Sequence, residues 1–313
     1  MADSETGTHV DRVAAKWDRE NQRNLGADKN LRTRWWKHPY VLRRVNQRLC
    51  GEPEKLWGGG MHRWLERRFG DELPFQRAIS VGGGTGGKEM DLIESGIVEH
   101  MTVYEYSESR IETGKNMATR RGLEDQVEFV CGDAFALEQS LGSFDLVHWD
   151  NSLHHMLDVA AAVEWSRSIL RSGGLFYLYG FIGPSRFQWT QPMLDLASEV
   201  RSALPASYLE DPNNPSELVI KEFSKPPSIR SMIANNPSEA ADSDRILSSV
   251  RGVFPNADII LTGGVVYSLA LNDIIHNFSW DPVDPYLRLL MALDFQAADA
   301  GLSHYAGALA LKH

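Results

Sequence analysis

A glycine-rich run over residues 80–87 constrains this chain more than any other segment. It reads SVGGGTGG, follows a short apolar stretch at residues 77–81, and precedes Met90, Ile93 and Ile97 at helical spacing. We therefore predict a strand, a tight turn and a helix. Glycine lets the backbone turn sharply and lets a ligand approach the free N–H groups at the helix start. Such a turn is typical of a site for a nucleotide-like cofactor.

The spacing of the glycines leaves the identity of that cofactor open. Gly82, Gly84 and Gly87 match the dinucleotide-binding fingerprint, whereas Gly82, Gly84 and Gly86 match the pattern used by S-adenosylmethionine enzymes. A tight turn that binds no ligand is a third interpretation. The segments that follow the loop must decide among the three.

Short apolar runs alternate with helical patterns after the glycine run. Alternation of this kind predicts an α/β domain with a mainly parallel sheet and helices on both faces. The predicted strands lie at residues 100–106, 127–132, 144–149 and 174–181, and the predicted helices at residues 107–122 and 157–171.

The regions that lack this alternation of strands and helices suggest elements added to the α/β domain. Residues 1–70 are polar and helical in pattern and predict a helical cap, whereas residues 71–183 form the predicted core. Residues 184–256 contain nine of the 14 prolines, which favours an inserted lid of loops and short helices. Residues 257–313 are expected to complete the sheet with an antiparallel pair.

Charge and cysteine content exclude several classes of protein. A formal charge of −10 argues against a nucleic-acid partner or a membrane partner, because binding to either needs clustered Lys and Arg. Cys50 and Cys131 suggest neither a disulfide framework nor a metal site. Since no apolar signal region or membrane-length run occurs, we expect a cytoplasmic protein.

The order of these motifs resembles the class I S-adenosylmethionine-dependent methyltransferases over about residues 75–183. Within that class, segments 183–189 and 236–240 are similar to a bacterial group of small-molecule methyltransferases. The resemblance implies S-adenosyl-L-methionine as cofactor. It also implies a Rossmann-like, seven-stranded mixed sheet with an N-terminal helical cap and a lid inserted after strand five.

Candidate cofactor contacts follow from the loop and from the resemblance. Glu105 ends the second strand 23 positions after Gly82, where a carboxylate can accept both ribose hydroxyls, a feature that dehydrogenases share. The resemblance places Asp133 at the adenine amino group, and Ser80 stands where the family commonly has an acid. The complete candidate set is Ser80, Gly82, Gly84, Gly86, Glu105, Tyr106, Asp133, Ala134, Asp150 and Asn151.

Methyl transfer from a sulfonium needs no metal, and a base only where the acceptor must lose a proton. His154 and His155 follow strand four, at the sheet edge where open α/β sheets bind ligands. Either histidine is therefore a candidate general base. We expect one of them to pack in the core and the other to face the cavity. An amine acceptor would make both dispensable as bases. Candidate acceptor contacts are Arg186, Gln188, Trp189, Trp36 and Tyr40; alternatively, Arg186 pairs with a lid acid such as Glu239.

We expect methylation at an oxygen or nitrogen of an enclosed small molecule, such as a specialised metabolite, an amino acid, an amine or guanidine, or a sugar. Two alternatives remain at this point. A nicotinamide-dependent oxidoreductase would use the same glycines and Glu105, and a regulator that binds the cofactor without turnover would keep the fold. A homodimer also remains an option.

Overall fold

The computed structural model describes residues 8–25, 34–55, 58–137, 142–212 and 214–313. Residues 1–7, 26–33 and 56–57 of the predicted cap lie outside the described part. The strands are β1 (Phe75–Val81), β2 (Val98–Glu105), β3 (Val127–Cys131), β4 (Phe144–Asp150), β5 (Leu170–Phe181), β6 (Glu210–Asp211), β7 (Asn214–Leu218), β8 (Asp258–Gly263) and β9 (Tyr305–Leu311).

Seven of these strands form one sheet in the order β3-β2-β1-β4-β5-β9-β8, and β6 and β7 form a separate ribbon. Strands β1 to β5 are parallel, whereas β9 runs antiparallel to both β5 and β8. The predicted seven-stranded mixed sheet is confirmed. The carboxyl ends of β1, β2 and β4 therefore meet at one edge, where such sheets bind ligands.

The helices cover both faces of the sheet. They are α1 (His9–Leu25), α2 (Pro39–Cys50), α3 (Gly59–Phe69), α4 (Gly87–Glu94), α5 (Glu108–Arg121), α6 (Val159–Ile169), α7 (Gln191–Ala203), α8 (Ile229–Asn235), α9 (Ile246–Val253) and α10 (Pro285–Asp299). None of the helices within the described ranges is both long enough and apolar enough to cross a bilayer.

Two hydrophobic clusters hold these layers together. One contains apolar side chains of α2, α3, α4, α5, α7 and α10, and the other contains those of α6 and α9. Buried runs such as residues 78–81 and 146–150 explain why the strands could be located from sequence, since both faces of a parallel sheet are covered. Segment 184–256 contributes α7, α8 and α9 between β5 and β8.

The helix after the glycine run is shorter than its apolar spacing predicts. It ends at Glu94, and Gly96 then adopts a left-handed φ of 69°. The Ile97 N–H bonds back to the Leu92 carbonyl at 3.0 Å, so the chain reverses before β2. Ile97 is buried as predicted, but as the residue that leads into a strand.

Candidate active site

The glycine run wraps tightly around the end of β1. Gly82, Gly84 and Gly86 have φ values of 68°, 63° and 71°, which side chains disfavour. A side chain at Gly83 would also collide with its surroundings, because its Cβ would lie 2.7 Å from Val103 Cγ1. Helix α4 starts at Gly87 directly after the loop, so its free N–H groups face the sheet edge.

Glu105 ties this loop to the end of β2. The carboxylate is buried. Its Oε2 accepts a hydrogen bond from the Gly84 N–H at 3.0 Å. Its Oε1 accepts the Tyr106 N–H at 2.8 Å and the Ser107 N–H at 3.0 Å. Arg110 Nη1 lies 3.9 Å from Oε2. Since a carboxylate offers about four lone-pair sites, Glu105 can accept a further donor from a bound ligand.

A first cavity of about 720 Å³ opens beside the loop and Glu105. This volume is typical of a small-molecule or cofactor site. Its lining includes most of the cofactor contacts expected from sequence, namely Gly82, Gly84, Glu105, Tyr106, Asp133, Ala134, Asp150 and Asn151. Ser80 and Gly86 do not line it within the described part of the chain.

Ser80 lies beneath the loop in a buried polar group. Its hydroxyl donates to Glu89 Oε1 at 2.7 Å, and His148 Nδ1 lies 3.3 Å from both of these oxygens. Burial opposes ionisation of Glu89, but the hydrogen bond and charge of His148, followed by Lys88 and Ser80, keep its pKa below the usual value. Glu89 thus brings a buried carboxylate next to Ser80 beneath the loop. Gly86 instead packs against Phe129, 2.6 Å from where a Cβ would stand.

The other end of the first cavity lies against Asp133. Asp133 Oδ1 accepts the Phe135 N–H at 2.9 Å, so this residue also caps the turn after β3. Burial, and then the charge of Asp133, raises the pKa of Tyr106. Ala134 is buried beneath this turn, and the Phe135 ring forms part of the lining.

Helix α1, which belongs to the predicted helical cap, covers the first cavity. Its residues His9, Val10, Val13, Trp17 and Asn21 line the cavity. The helix is held by Asp18, whose Oδ1 accepts the hydroxyls of Ser107 at 2.5 Å and Ser109 at 2.8 Å. The Arg110 guanidinium lies 4.1 Å from the centre of the Trp17 ring. The amphipathic spacing of 9, 10, 13, 17 and 21 is the signal that could have revealed this face.

A second cavity of about 920 Å³ adjoins the first, and Trp17, Lys88 and Asn151 line both. Trp189 stacks on Phe187 at 5.0 Å and on His304 at 4.5 Å between ring centres. The aromatic lining comprises Trp17, Trp36, Phe181, Phe187, Trp189, Phe223 and Tyr305, and the acidic lining comprises Glu20, Glu239 and Asp273. The basic lining comprises Lys16, Arg34, Lys88 and Arg201. Lys16 pairs with Glu20 and Arg201 with Asp273, so the second cavity combines apolar walls with charges of both signs.

Asp150 and Asn151 stand at the wall between the cavities. Lys88 Nζ donates to the Asp150 carbonyl at 2.6 Å and to its Oδ1 at 2.8 Å, while the Tyr177 hydroxyl donates to Oδ2 at 3.2 Å. Asn151 adopts a left-handed φ of 54°, which places its backbone in a strained conformation. Strain of this kind is common at functional sites.

The two histidines lie on opposite sides of the same wall. His154 lines the second cavity and His155 the first, with 4.1 Å between their ring centres. Burial lowers the pKa of both, and in His154 the charges of His155 and Lys88 lower it further. Both rings are therefore neutral at physiological pH. We expected only one histidine to face a cavity, and the structure differs because the 3-10 turn Leu153–His155 forms the wall itself.

The expected acceptor contacts divide into two sets. Trp189 and Trp36 line the second cavity, as expected. Arg186 instead donates to the carbonyls of Pro237 and Glu239, both at 2.9 Å. Gln188 donates to the Pro227 carbonyl at 3.0 Å. Arg186 and Gln188 thus bind the backbone of segment 227–239, which is closer to the alternative interpretation of Arg186 than to a substrate clamp.

Tyr40 belongs to neither cavity as the structure describes them. It packs against the larger hydrophobic cluster, which includes α2, on which Tyr40 lies. Its position near the start of an amphipathic helix made a packing role the simpler expectation.

A family model described as a methyltransferase domain matches residues 79–178, from β1 into β5. Residues 79–178 therefore match a methyltransferase domain. The methyltransferase domain is similar to the ubiquinone/menaquinone biosynthesis C-methyltransferase UbiE of Cereibacter sphaeroides, with 26% identity over 137 residues, 44% of this chain and 53% of that protein. The UbiE of Rhodopseudomonas palustris is 31% identical over 134 residues, 40% of this chain and 53% of the relative. The chain spans about half the length of these curated relatives.

A solved structure shares the fold beyond the methyltransferase domain. The geranyl diphosphate C-methyltransferase of Streptomyces coelicolor has a TM-score of 0.53 and 12% identity, and the match covers 99% of this chain and 100% of that one. At 12% identity this similarity shows the fold alone. Because the match covers 99% of this chain, the shared fold includes the elements before and after the methyltransferase domain.

Proposed function

We propose that this protein transfers the methyl group of S-adenosylmethionine, bound in the first cavity, to a small molecule bound in the second. One observation carries the proposal: the two cavities share a wall formed by Trp17, Lys88 and Asn151. A cofactor in one and an acceptor in the other would meet at that wall. The methyltransferase domain supplies the cofactor class, and the second cavity supplies room for an acceptor.

The residues of the first cavity fit the three parts of this cofactor. Glu105 has a lone pair left for a ribose hydroxyl, and Asp133 has a second carboxylate oxygen beside the cavity for an amino group. Lys88 and Asp150 present opposite charges at the wall, which suits the carboxylate and ammonium of the methionine part. We propose that Ser80 and Gly86 act indirectly, by shaping the loop.

Bound there, S-adenosylmethionine supplies an electrophilic methyl carbon on a positively charged sulfur. The protein's contribution is to place an acceptor lone pair in line with that carbon and to exclude water. Positioning of this kind can lower a barrier by roughly 7–11 kcal/mol. Helix α1 covers the first cavity, and the Arg186 hydrogen bonds hold segment 237–239 beside the second.

The lining of the second cavity supports a class of acceptor. Stacked Phe187 and Trp189 favour a flat or apolar part of the molecule. Glu239 and the ion pairs Lys16–Glu20 and Arg201–Asp273 favour polar groups elsewhere on it. We propose oxygen or nitrogen as the acceptor atom. The relatives described above are named as C-methyltransferases, so methylation at carbon is the competing outcome.

Calorimetry with S-adenosylhomocysteine tests the cofactor half of the proposal. We expect saturable binding that is weakened in Glu105→Ala and Asp133→Ala, and no binding of NAD. Equal affinity in the parent and both variants, or binding of NAD instead, would show that the cofactor assignment is wrong.

Incubation of a metabolite extract with methyl-labelled S-adenosylmethionine tests the acceptor half. We expect one or more small products that carry the label, and NMR of the product identifies the methylated atom. A protein that binds S-adenosylhomocysteine yet labels nothing would instead support a non-catalytic regulator.

A further inference from the structure

Three metal-binding side chains converge at the wall between the two cavities. His154, His155 and Glu239 each offer one ligand atom, and these three atoms lie within 4.8 Å of one another. His154 Nε2 is 3.7 Å from Glu239 Oε1. The histidines follow β4, whereas Glu239 comes from the lid more than 80 positions later. Their convergence is therefore a product of the lid's path.

The surroundings orient two of these groups in the way that metal sites require. The Asn236 side-chain amide donates to Glu239 Oε2 at 2.8 Å, which leaves Oε1 turned toward His154. His155 Nδ1 lies 3.3 Å from the Ser238 carbonyl, so its Nε2 is available as a ligand atom. Metal-binding histidines usually donate their second N–H to such a carbonyl or carboxylate.

His154 is not held by a hydrogen bond at its second ring nitrogen among the described residues. Its side chain is buried, and Nδ1 makes no hydrogen bond within the described part of the chain. The nitrogen that faces Glu239 is Nε2, so Nε2 is the ligand atom that His154 offers. His154 thus lacks, in the described ranges, the orienting bond that His155 has at Nδ1.

The backbone around the three groups is held in place. Ala241 N–H donates to the His154 carbonyl at 3.1 Å, and Arg186 N–H donates to the Ala240 carbonyl at 2.6 Å. The Arg186 guanidinium also binds the Glu239 carbonyl. The lid segment with Glu239 is thereby fixed onto the turn that contains the histidines.

We propose that His154, His155 and Glu239 bind a divalent transition-metal ion. Two imidazoles and one carboxylate suit zinc, iron, cobalt or manganese and leave other coordination positions open. Bonds of about 2.1 Å from an ion to its ligands place adjacent ligand atoms about 3 Å apart. Side-chain rotations that move each ligand atom by about 1 Å would bring the three atoms to that separation. This proposal differs from the expectation of no metal.

The role of the ion rests on the proposed function, although its binding does not. An open coordination position beside the second cavity would bind an acceptor oxygen. The O–H proton passes to water as the oxygen coordinates, because a bound cation lowers the pKa of its ligand. The oxygen lone pair then forms the new bond to the methyl carbon while the carbon–sulfur bond breaks and leaves a neutral thioether.

Cobalt binding to the untagged, chelator-treated full chain tests the site. We expect one equivalent of Co²⁺ to produce visible absorption bands of a nitrogen- and oxygen-ligated ion. Glu239→Gln and His155→Asn should weaken Co²⁺ binding by more than tenfold, and Asn236→Ala, which removes only the orienting amide, by about tenfold. Glu217→Gln, an exposed lid acid, should leave it unchanged.

Two controls keep the outcomes distinct. Circular dichroism and thermal unfolding establish that each variant is folded, and Asn236→Ala supplies a milder change if the ligand variants unfold. The proposal is overturned if the parent shows no saturable Co²⁺ bands or if all variants bind Co²⁺ equally. S-adenosylhomocysteine affinity, measured on the same samples, separates this failure from failure of the proposed function.

Discussion

Helix α1 should act as a releasable cover over the cofactor cavity. No residue of α1 belongs to either hydrophobic cluster, as far as the structure describes them, so the helix depends on a few polar contacts and on Trp17. Asp18 makes the most concentrated of these contacts, through the hydroxyls of Ser107 and Ser109. Removing this carboxylate should loosen the cover without unfolding the domain.

The free energy lost in Asp18→Ala can be estimated from its two hydrogen bonds to the hydroxyls of Ser107 and Ser109. Hydrogen bonds to a charged group contribute about 1.5–3 kcal/mol each, and partial exposure of Asp18 reduces the pair to about 2 kcal/mol. A loss of about 2 kcal/mol lowers the equilibrium constant for docking of α1 onto the domain by about thirtyfold. Since a ligand beneath α1 leaves when the helix lifts, the dissociation rate of S-adenosylhomocysteine should rise by up to the same factor.

Stopped-flow displacement measures this rate, and thermal unfolding measures stability. We expect faster dissociation, a faster association rate because entry needs the same opening of α1, and a midpoint within a few degrees of the parent. Glu112→Gln, which changes an exposed acid on α5, serves as the control with no expected effect. An unchanged dissociation rate in Asp18→Ala would refute the covering role, and a large loss of midpoint would show that α1 belongs to the core.

Three further predictions concern the cavities and their support. Glu105→Ala should weaken S-adenosylhomocysteine binding by about 10- to 100-fold, because one charge-assisted hydrogen bond is worth about 1.5–3 kcal/mol, and calorimetry that finds full affinity contradicts it. Trp189→Ala should raise the KM for the acceptor about tenfold, because the aromatic surface formed with Phe187 is lost, and should leave the Kd for the cofactor unchanged. A parallel loss of cofactor affinity would contradict the assignment of cofactor and acceptor to separate cavities. Burial lowers the pKa of His304 to about 3, so the unfolded chain binds one more proton between about pH 3 and pH 6.5 and stability falls as pH drops through that range. His304→Phe should therefore lose about 1.6 kcal/mol less than the parent between pH 6.5 and pH 5 in urea unfolding, and identical pH slopes would disprove this.

The sheet was predictable because its information is local. Strands covered on both faces appear as continuous apolar runs, and the glycine run fixes the turn between β1 and α4. The end of α4 was predicted too late because burial of Ile97 fits a helix and a strand equally well. Gly96, with its left-handed backbone, was the local signal for the stop.

The candidate site was predictable only where its residues follow strands. Glu105 and Asp133 line the first cavity because the ends of parallel strands meet at one edge. The contact between His154 and Glu239 depends on how the lid returns across the sheet, and no local pattern encodes that path. Arg186 was assigned to a cleft by its position after β5, whereas its hydrogen bonds show that it binds the backbone of segment 237–239.

A crystal structure of the full chain with S-adenosylhomocysteine tests the central claim most directly. We predict a ribose hydroxyl on Glu105, the adenine beside Asp133, and the sulfur at the Asn151 wall, directed at the second cavity. A cofactor bound elsewhere, or one whose sulfur points away from the second cavity, would contradict methyl transfer across that wall.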